Sequence, residues 1–168
     1  MNPTRITMDR SQLHLTVAAV VAYQGKFLLV EERDKQSQNL VLNQPAGHVE
    51  SNEDLITAVE RELFEETGLV LKADGWLGIS QLIAGNGHRY VRVNFYFEPD
   101  SLSVAYQPQD ADILALHWLT LQQLTEHQLP ERSQLVSDAM LQYQQGVRLP
   151  LALIKSPVSS VSASKTVL

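Results

Sequence analysis

With 168 residues, 44% of them apolar and 19% charged, the chain has the length and composition of one soluble globular domain. A net charge of -6 argues against a non-specific nucleic-acid binder, which needs a basic face to displace counterions. The absence of cysteine excludes a disulfide framework, a thiolate metal site and a cysteine nucleophile, and it fits the cytoplasm.

Residues 1–12 read as a polar, flexible arm, with no secretory signal. The longest apolar stretch near the start, residues 15–23, is far short of the roughly 20 needed to span a bilayer, so no membrane is expected. Residues 14–22 and 26–31 are rich in Val, Leu and Phe and read as two strands. Gly25 marks a tight hairpin turn between them. Residues 34–39 are loop-like. Residues 40–49 contain Pro45 and Gly47, which allow at best one short strand running into a loop.

A helix is expected over residues 54–67. Asp54 or Ser51 is placed to cap its start, and Gly68 sits where a left-handed C-terminal cap is wanted. Leu55, Ile56, Val59 and Leu63 give it an apolar stripe. Residues 69–73, 77–84, 90–97 and 113–118 read as further strands. Thr120 with Gln123 has the form of a capping box, and Leu135, Val136, Ala139, Met140 and Tyr143 mark one face of a last helix. The serine-rich residues 155–168 read as a flexible tail, leaving 13–154 as the domain. Strands mixed with two or three helices argue for an α/β or α+β sandwich.

The chemistry is concentrated in Arg61-Glu62-Leu63-Phe64-Glu65-Glu66. At about 100° per residue, Glu62, Glu65 and Glu66 share one face of the helix. Like charges at these spacings each cost about 0.2–0.5 kcal/mol, and the end of a helix prefers cations. Arg61 can pair with Glu65, but one arginine does not neutralise three carboxylates. A hard divalent cation does. Oxygen ligands without thiolate suit magnesium, with manganese as second choice, and magnesium accepts substrate phosphate oxygens.

From Gly47 the chain runs through five residues to Glu53 and seven more to Arg61-Glu62-Leu63. One residue then precedes Glu65-Glu66, and one more precedes Gly68-Leu69. This pattern resembles the signature box of the Nudix hydrolase superfamily at every position. The resemblance covers about residues 13–150 and implies a mixed β-sheet sandwiched between helices. It implies that Glu62, Glu65, Glu66 and the carbonyl of Ala46 hold the metal, with Glu62 also a candidate base. It gives Gly47, Glu53, Arg61 and Gly68 structural roles, with Glu53 and Arg61 paired. A base outside the box is implied too. Asp110 and Asp112 are the candidates, Asp112 being carried as catalytic, and Glu98 is a weaker one.

Gln44 and His48 flank the box glycine and are read as facing the pocket with Arg89 and Arg92, all four as substrate contacts. Tyr90 shares the strand face of Arg92. Thr16-Val17-Ala18, Gly25-Lys26-Phe27, residues 43–48, and Tyr143, Gln144, Gly146, Arg148, Pro150 and Leu151 further resemble the NudJ group of bacterial phosphatases. That resemblance implies release of orthophosphate from nucleoside di- and triphosphates and from hydroxymethylpyrimidine or thiamin pyrophosphate. The alternatives are a Nudix pyrophosphohydrolase of nucleoside triphosphates or ADP-ribose, and a non-catalytic nucleotide-binding regulator on the same fold. A third, the isoprenoid diphosphate isomerase of this fold, uses a cysteine that is missing here. A monomer or homodimer acting on a small phosphorylated substrate is expected.

Overall fold

The structure, a computed structural model, describes residues 10–102 and 105–158. The expectations for residues 1–9 and 159–168 as flexible arm and tail lie outside the described residues. Arg10–Gln12, assigned from sequence to the arm, instead form a single 3-10 turn that leads into the first strand.

Strand β1 (Leu13–Tyr23) turns back into β2 (Lys26–Arg33). Next come β3 (Leu40–Asn43), β4 (Ala46–His48) and helix α1 (Leu55–Thr67). Strands β5 (Gly75–Ile83), β6 (Arg89–Phe97) and β7 (Ile113–Leu119) precede a short α2 (Leu121–Thr125) and α3 (Leu135–Gln144). The sheet runs β3-β2-β1-β6-β5, with β4 added beside β1 and β7 beside β2. Among the described strands only β1 and β6 pair in parallel, in continuous register from Leu13↔Arg89 to Val21↔Phe97. The fold is therefore α+β with a mixed sheet.

The period of two along the strands decides which helix each residue meets. Val17, Ala19 and Val21 of β1 and Val93, Phe95 and Phe97 of β6 pack against Ala58, Val59 and Leu63 of α1. On the opposite face, Val20, Phe27, Leu29, Leu77 and Tyr96 pack against Val136, Ala139 and Met140 of α3. Buried on both faces, β1 reads as an unbroken apolar run rather than an alternation. The helices cover the sheet on both sides, as the sandwich requires.

Two expectations change. Residues 69–73 form no strand. The Leu69 N–H goes to Thr67 Oγ1 (3.1 Å) and that of Ala73 to Glu60 Oε1 (3.1 Å), so side chains take donors that a ladder would need. Residues 40–49 hold two strands, not one, broken at Gln44-Pro45, where proline lacks the ladder N–H.

The caps follow local chemistry. Asp54 Oδ1 accepts the Thr57 N–H (2.8 Å), and Thr120 and Gln123 form the full capping box on α2. Gly68 ends α1 at φ 78°, and its N–H returns to the Phe64 carbonyl. A Cβ here would also collide with the backbone of Gln107. Gly68→Ala is therefore expected to cost at least about 2 kcal/mol, with left-handed strain and the collision adding. Urea unfolding measures it, and a cost near zero would mean that the loop of Gln107 does not press on the helix end.

Candidate active site

The N-terminal loop of α1 is fastened by one guanidinium. Arg61 Nη2 and Nε donate to the two oxygens of Glu53 at 2.6 and 3.0 Å, and Nη2 also donates to the His48 carbonyl (3.1 Å). Nη1 meanwhile reaches Glu62 Oε1 (2.7 Å) and Glu65 Oε2 (3.2 Å). The Arg61 hydrogen bonds hold Glu53 below the usual carboxylate range, and Glu53 keeps Arg61 firmly protonated. Glu53 Oε1 also accepts the Glu50 N–H (2.9 Å), so the pair sets the turn before the helix.

At the other end of the helix the acids gather. Glu62 lies against Gly47 so closely that any Cβ there would collide with its carboxylate, which is why a glycine must stand at this point of β4. Glu66 is buried, and its Oε2 accepts the Ala46 N–H (2.9 Å). Burial pushes its carboxyl up to about 9, and the charges of Glu32, Glu62 and Asp110 push the same way. Burial also raises Glu62, against the pull of Arg61. Glu65 is the most exposed of the three box carboxylates. No basic residue stands in the last turn of α1.

The set is a group of hard oxygen donors with excess negative charge in a partly desolvated place, which suits a divalent cation of the magnesium type. Among the described residues, no three acidic or imidazole side chains surround a single point closely enough to form a shell. Glu62 and Glu65 lean on Arg61 and Glu66 on Ala46. Ligation by all three would require those two to swing off the guanidinium.

The other sequence candidates separate. Asp112 does not join the acids. It is exposed, 3.8 Å from Lys35, and donates its N–H to Asp110 Oδ1 (2.9 Å). Asp110 is the nearer carboxylate, because its N–H bonds the Glu65 carbonyl (2.9 Å) over the end of α1. Glu98 lies elsewhere, bonded to Tyr143 and Arg148.

Arg89 and Arg92 do not share a face of the sheet. Arg89 is exposed and, by the two-residue period, lies on the α1 side of the sheet, whereas Arg92 is buried on the α3 side. Gln44 is buried and donates to the Val136 carbonyl (2.7 Å). His48 is exposed, its Nε2 3.2 Å from His14 Nδ1, and His14 Nε2 lies 2.7 Å from His88 Nδ1. Tyr90 stacks on His14 at 4.7 Å.

Glu32, Arg132 and Asn94 also belong to this region and were not singled out from the sequence; Asn43 and Thr16, which entered only through the NudJ resemblance, lie here too. Glu32 accepts from Arg132 (2.7 Å) and Asn43 (3.0 Å). The β2–β7 register shifts beside it, where Leu114 is the extra residue of β7 opposite Glu31/Glu32, while β2 pairs with β3 without a break. Only the doubled glutamate at the end of an apolar strand hinted at it.

Comparison with known proteins agrees with this fold. The family model described as NUDIX domain matches residues 12–140. The protein named Phosphatase NudJ in Escherichia coli strain K12 is 38% identical over 141 residues, which are 84% of this chain and 90% of that one. The same figures hold for Phosphatase NudJ of Shigella flexneri. Among solved structures, a NUDIX hydrolase from Nitrosomonas europaea is similar with a TM-score of 0.77 at 33% identity, covering 86% of this chain and 97% of that one. The NUDIX domain of Shewanella oneidensis NrtR, solved with ADP ribose, shares the fold at a TM-score of 0.66 and 22% identity, over 83% and 94% of the two chains.

The burial of Glu66 has a measurable consequence without metal. The folded chain holds its proton up to about pH 9, whereas the unfolded chain releases it above the ordinary 4.5. Between those values, rising pH favours unfolding. Glu66 has no cation partner among the described residues, and a glutamine retains an oxygen for the Ala46 N–H. Glu66→Gln is thus expected to stabilise the metal-free protein, little near about pH 4.5 and increasingly toward about pH 9. Urea unfolding in chelator at about pH 5 and about pH 8 tests this. Equal destabilisation at both would make Glu66 a structural acid.

Proposed function

The chain belongs to the Nudix family, whose hydrolases act on phosphorus anhydrides, and we propose that it is a magnesium-dependent phosphatase of the NudJ kind. It releases orthophosphate from nucleoside di- and triphosphates and from the pyrophosphates of hydroxymethylpyrimidine or thiamin. The observation that carries this reading is the buried Glu66 with Glu32, Glu62 and Asp110 around it. That crowding of negative charge favours a cation, and through the cation a polyanionic substrate. The 38% identity to proteins named Phosphatase NudJ supports orthophosphate as product.

Glu62, Glu65 and Glu66, with the Ala46 carbonyl, would hold the metal. A bound magnesium ion supplies charge screening for the anhydride oxygens and a water of lowered pKa. The chain does the rest. Arg61 and Glu53 hold the first half of α1 against the His48 carbonyl, which fixes where the glutamates stand. Asp110, over the end of α1, replaces Asp112 as the carboxylate outside the box that accepts the proton of the attacking water. The oxygen of that water forms a bond to one phosphorus, the bridging P–O bond breaks, and orthophosphate departs. Gln44, His48 and Arg92 lie on the substrate side. Arg89 faces away from it. The enzyme works in the cytoplasm on a small phosphorylated substrate, as a monomer or homodimer.

Glu65→Gln and Glu66→Gln are each expected to lower kcat at least about 100-fold at saturating magnesium, and chelation to abolish turnover of the wild type. Near wild-type rates in both variants would remove the metal assignment. In a product assay with a nucleoside triphosphate, orthophosphate is expected first. Stoichiometric pyrophosphate with the monophosphate would point to a pyrophosphohydrolase of the same family instead.

A further inference from the structure

Four buried side-chain polar atoms have no hydrogen-bond partner among the described residues; apart from Gln142 Oε1 on α3, three sit together on the α3 side of the sheet. They are Thr16 Oγ1, Arg92 Nε and Asn94 Oδ1. Sequence scatters these residues, but the sheet collects them. Thr16 lies opposite Arg92 in the β1–β6 register, and Asn94 is two residues further along the same face. Arg92 is only 9% exposed and Asn94 fully buried.

The guanidinium is the least settled of the three. No carboxylate pairs with it among the described residues. Its Nη1 has two long contacts of 3.4 Å, to Asn43 Oδ1 and Gln44 Oε1. Glu32, which contributes to the field at Arg92, is already bonded to Arg132 and Asn43. Burial and the like charge of Arg132 lower Arg92 to about 10, a sign of a cation short of anionic company. Buried charges are ordinarily paired, so this one is built for a partner that arrives from outside.

We propose that Arg92, with Thr16 and Asn94, seats the free terminal phosphate of the substrate, and that this seat selects diphosphates with an unsubstituted end. The inference rests on the hydrolase reading above. The donor and acceptor pattern matches hydrogen phosphate. Arg92 and the Thr16 hydroxyl donate to its oxygens. Asn94 Nδ2 is spent on Ser80 Oγ (2.8 Å), which leaves Oδ1 as an acceptor for the one proton that a phosphate end carries near its second pKa of about 6. Asn43 and Gln44 close over the guanidinium, and Gln44 is fastened to α3, so a ligand reaches Arg92 by replacing the two 3.4 Å contacts. Glu66 also contributes to the field at Arg92, so the seat adjoins the acids that hold the metal.

The test uses the full chain, Arg92→Gln and Thr16→Val. In chelator, inorganic orthophosphate is expected to raise the thermal midpoint of the wild type by several degrees and to leave that of Arg92→Gln unchanged. Without phosphate, Arg92→Gln is expected to unfold at the same temperature as the wild type or higher, since a lone buried charge has been removed. With magnesium, Arg92→Gln should lower kcat/KM for a nucleoside diphosphate about 10- to 100-fold, the range for a hydrogen bond to a charged group, and Thr16→Val less. ADP-ribose, substituted at both ends, should be a poor substrate throughout, and its kcat/KM should barely change. Arg92→Gln unfolding well below the wild type, with no phosphate protection of either protein, would overturn the proposal by making Arg92 structural. Equal loss on both substrates would overturn it by making Arg92 a general contributor to the field. Phosphate protection that depends on Arg92, in a protein that hydrolyses neither substrate, would support the seat and sink the hydrolase reading instead.

Discussion

Most of the site depends on where Arg61 puts its five donors. Three serve architecture, by joining Glu53 and the His48 carbonyl to the helix. The remaining contacts, on Nη1, restrain Glu62 and Glu65. Without this clamp, three acids at the negative end of a helix would repel one another with nothing nearby to offset them. With it, two acids are shared with one cation, and only Glu66 of the three lacks a bond to it. An arginine suits this place better than a lysine, because its planar fork satisfies both oxygens of Glu53 while a second edge faces the other acids.

Burial then separates the roles of acids of the same type. Glu53, bonded by Arg61, is held as an anion, while Glu66, desolvated and bonded only by a backbone N–H, favours its proton. Glu65 stays half in water. Glu53 before the helix and Glu66 near its end thus differ in readiness to ionise although their side chains are identical. What distinguishes them is the distance of each from Arg61 and its depth beneath β4. Gly47 sets that depth for Glu62, since any side chain there would push the carboxylate away.

The part of this that is legible in sequence is the part with short-range causes. The helix, its Asp54 cap, its Gly68 stop and the capping box on α2 depend on residues within a few positions of each other. So does the Glu53–Arg61 pair, eight residues apart. The strand expected at residues 69–73 failed because side chains of α1 took its N–H groups, a competition that an apolar pattern does not display. Glu32 meets Arg132 across 100 positions, and Arg92 meets Asn43 across 49. Such encounters depend on sheet register, and single-sequence periodicity carries no register. Arg89 and Arg92 show the limit clearly. Their types suggested one shared site, but a separation of three along a strand sends them to opposite faces.

The α3 side of the sheet is divided along its length, and the division explains how a polar seat survives inside a domain. Toward one end, Val20, Leu77 and Tyr96 meet Val136, Ala139 and Met140 in an apolar layer. Toward the other, Thr16, Arg92 and Asn94 replace them, at a cost of about 1–3 kcal/mol for each polar group left without a partner. That cost would loosen an edge strand. Here it falls on β1 and β6, whose parallel register is unbroken and whose other face is filled by Val17, Val93, Phe95 and α1. The polar groups are therefore displayed on the best-supported strands of the fold, where their positions are fixed before any ligand arrives. Preorganisation of this kind lowers the ordering cost of binding, because the stability lost on one face is offset by packing on the other.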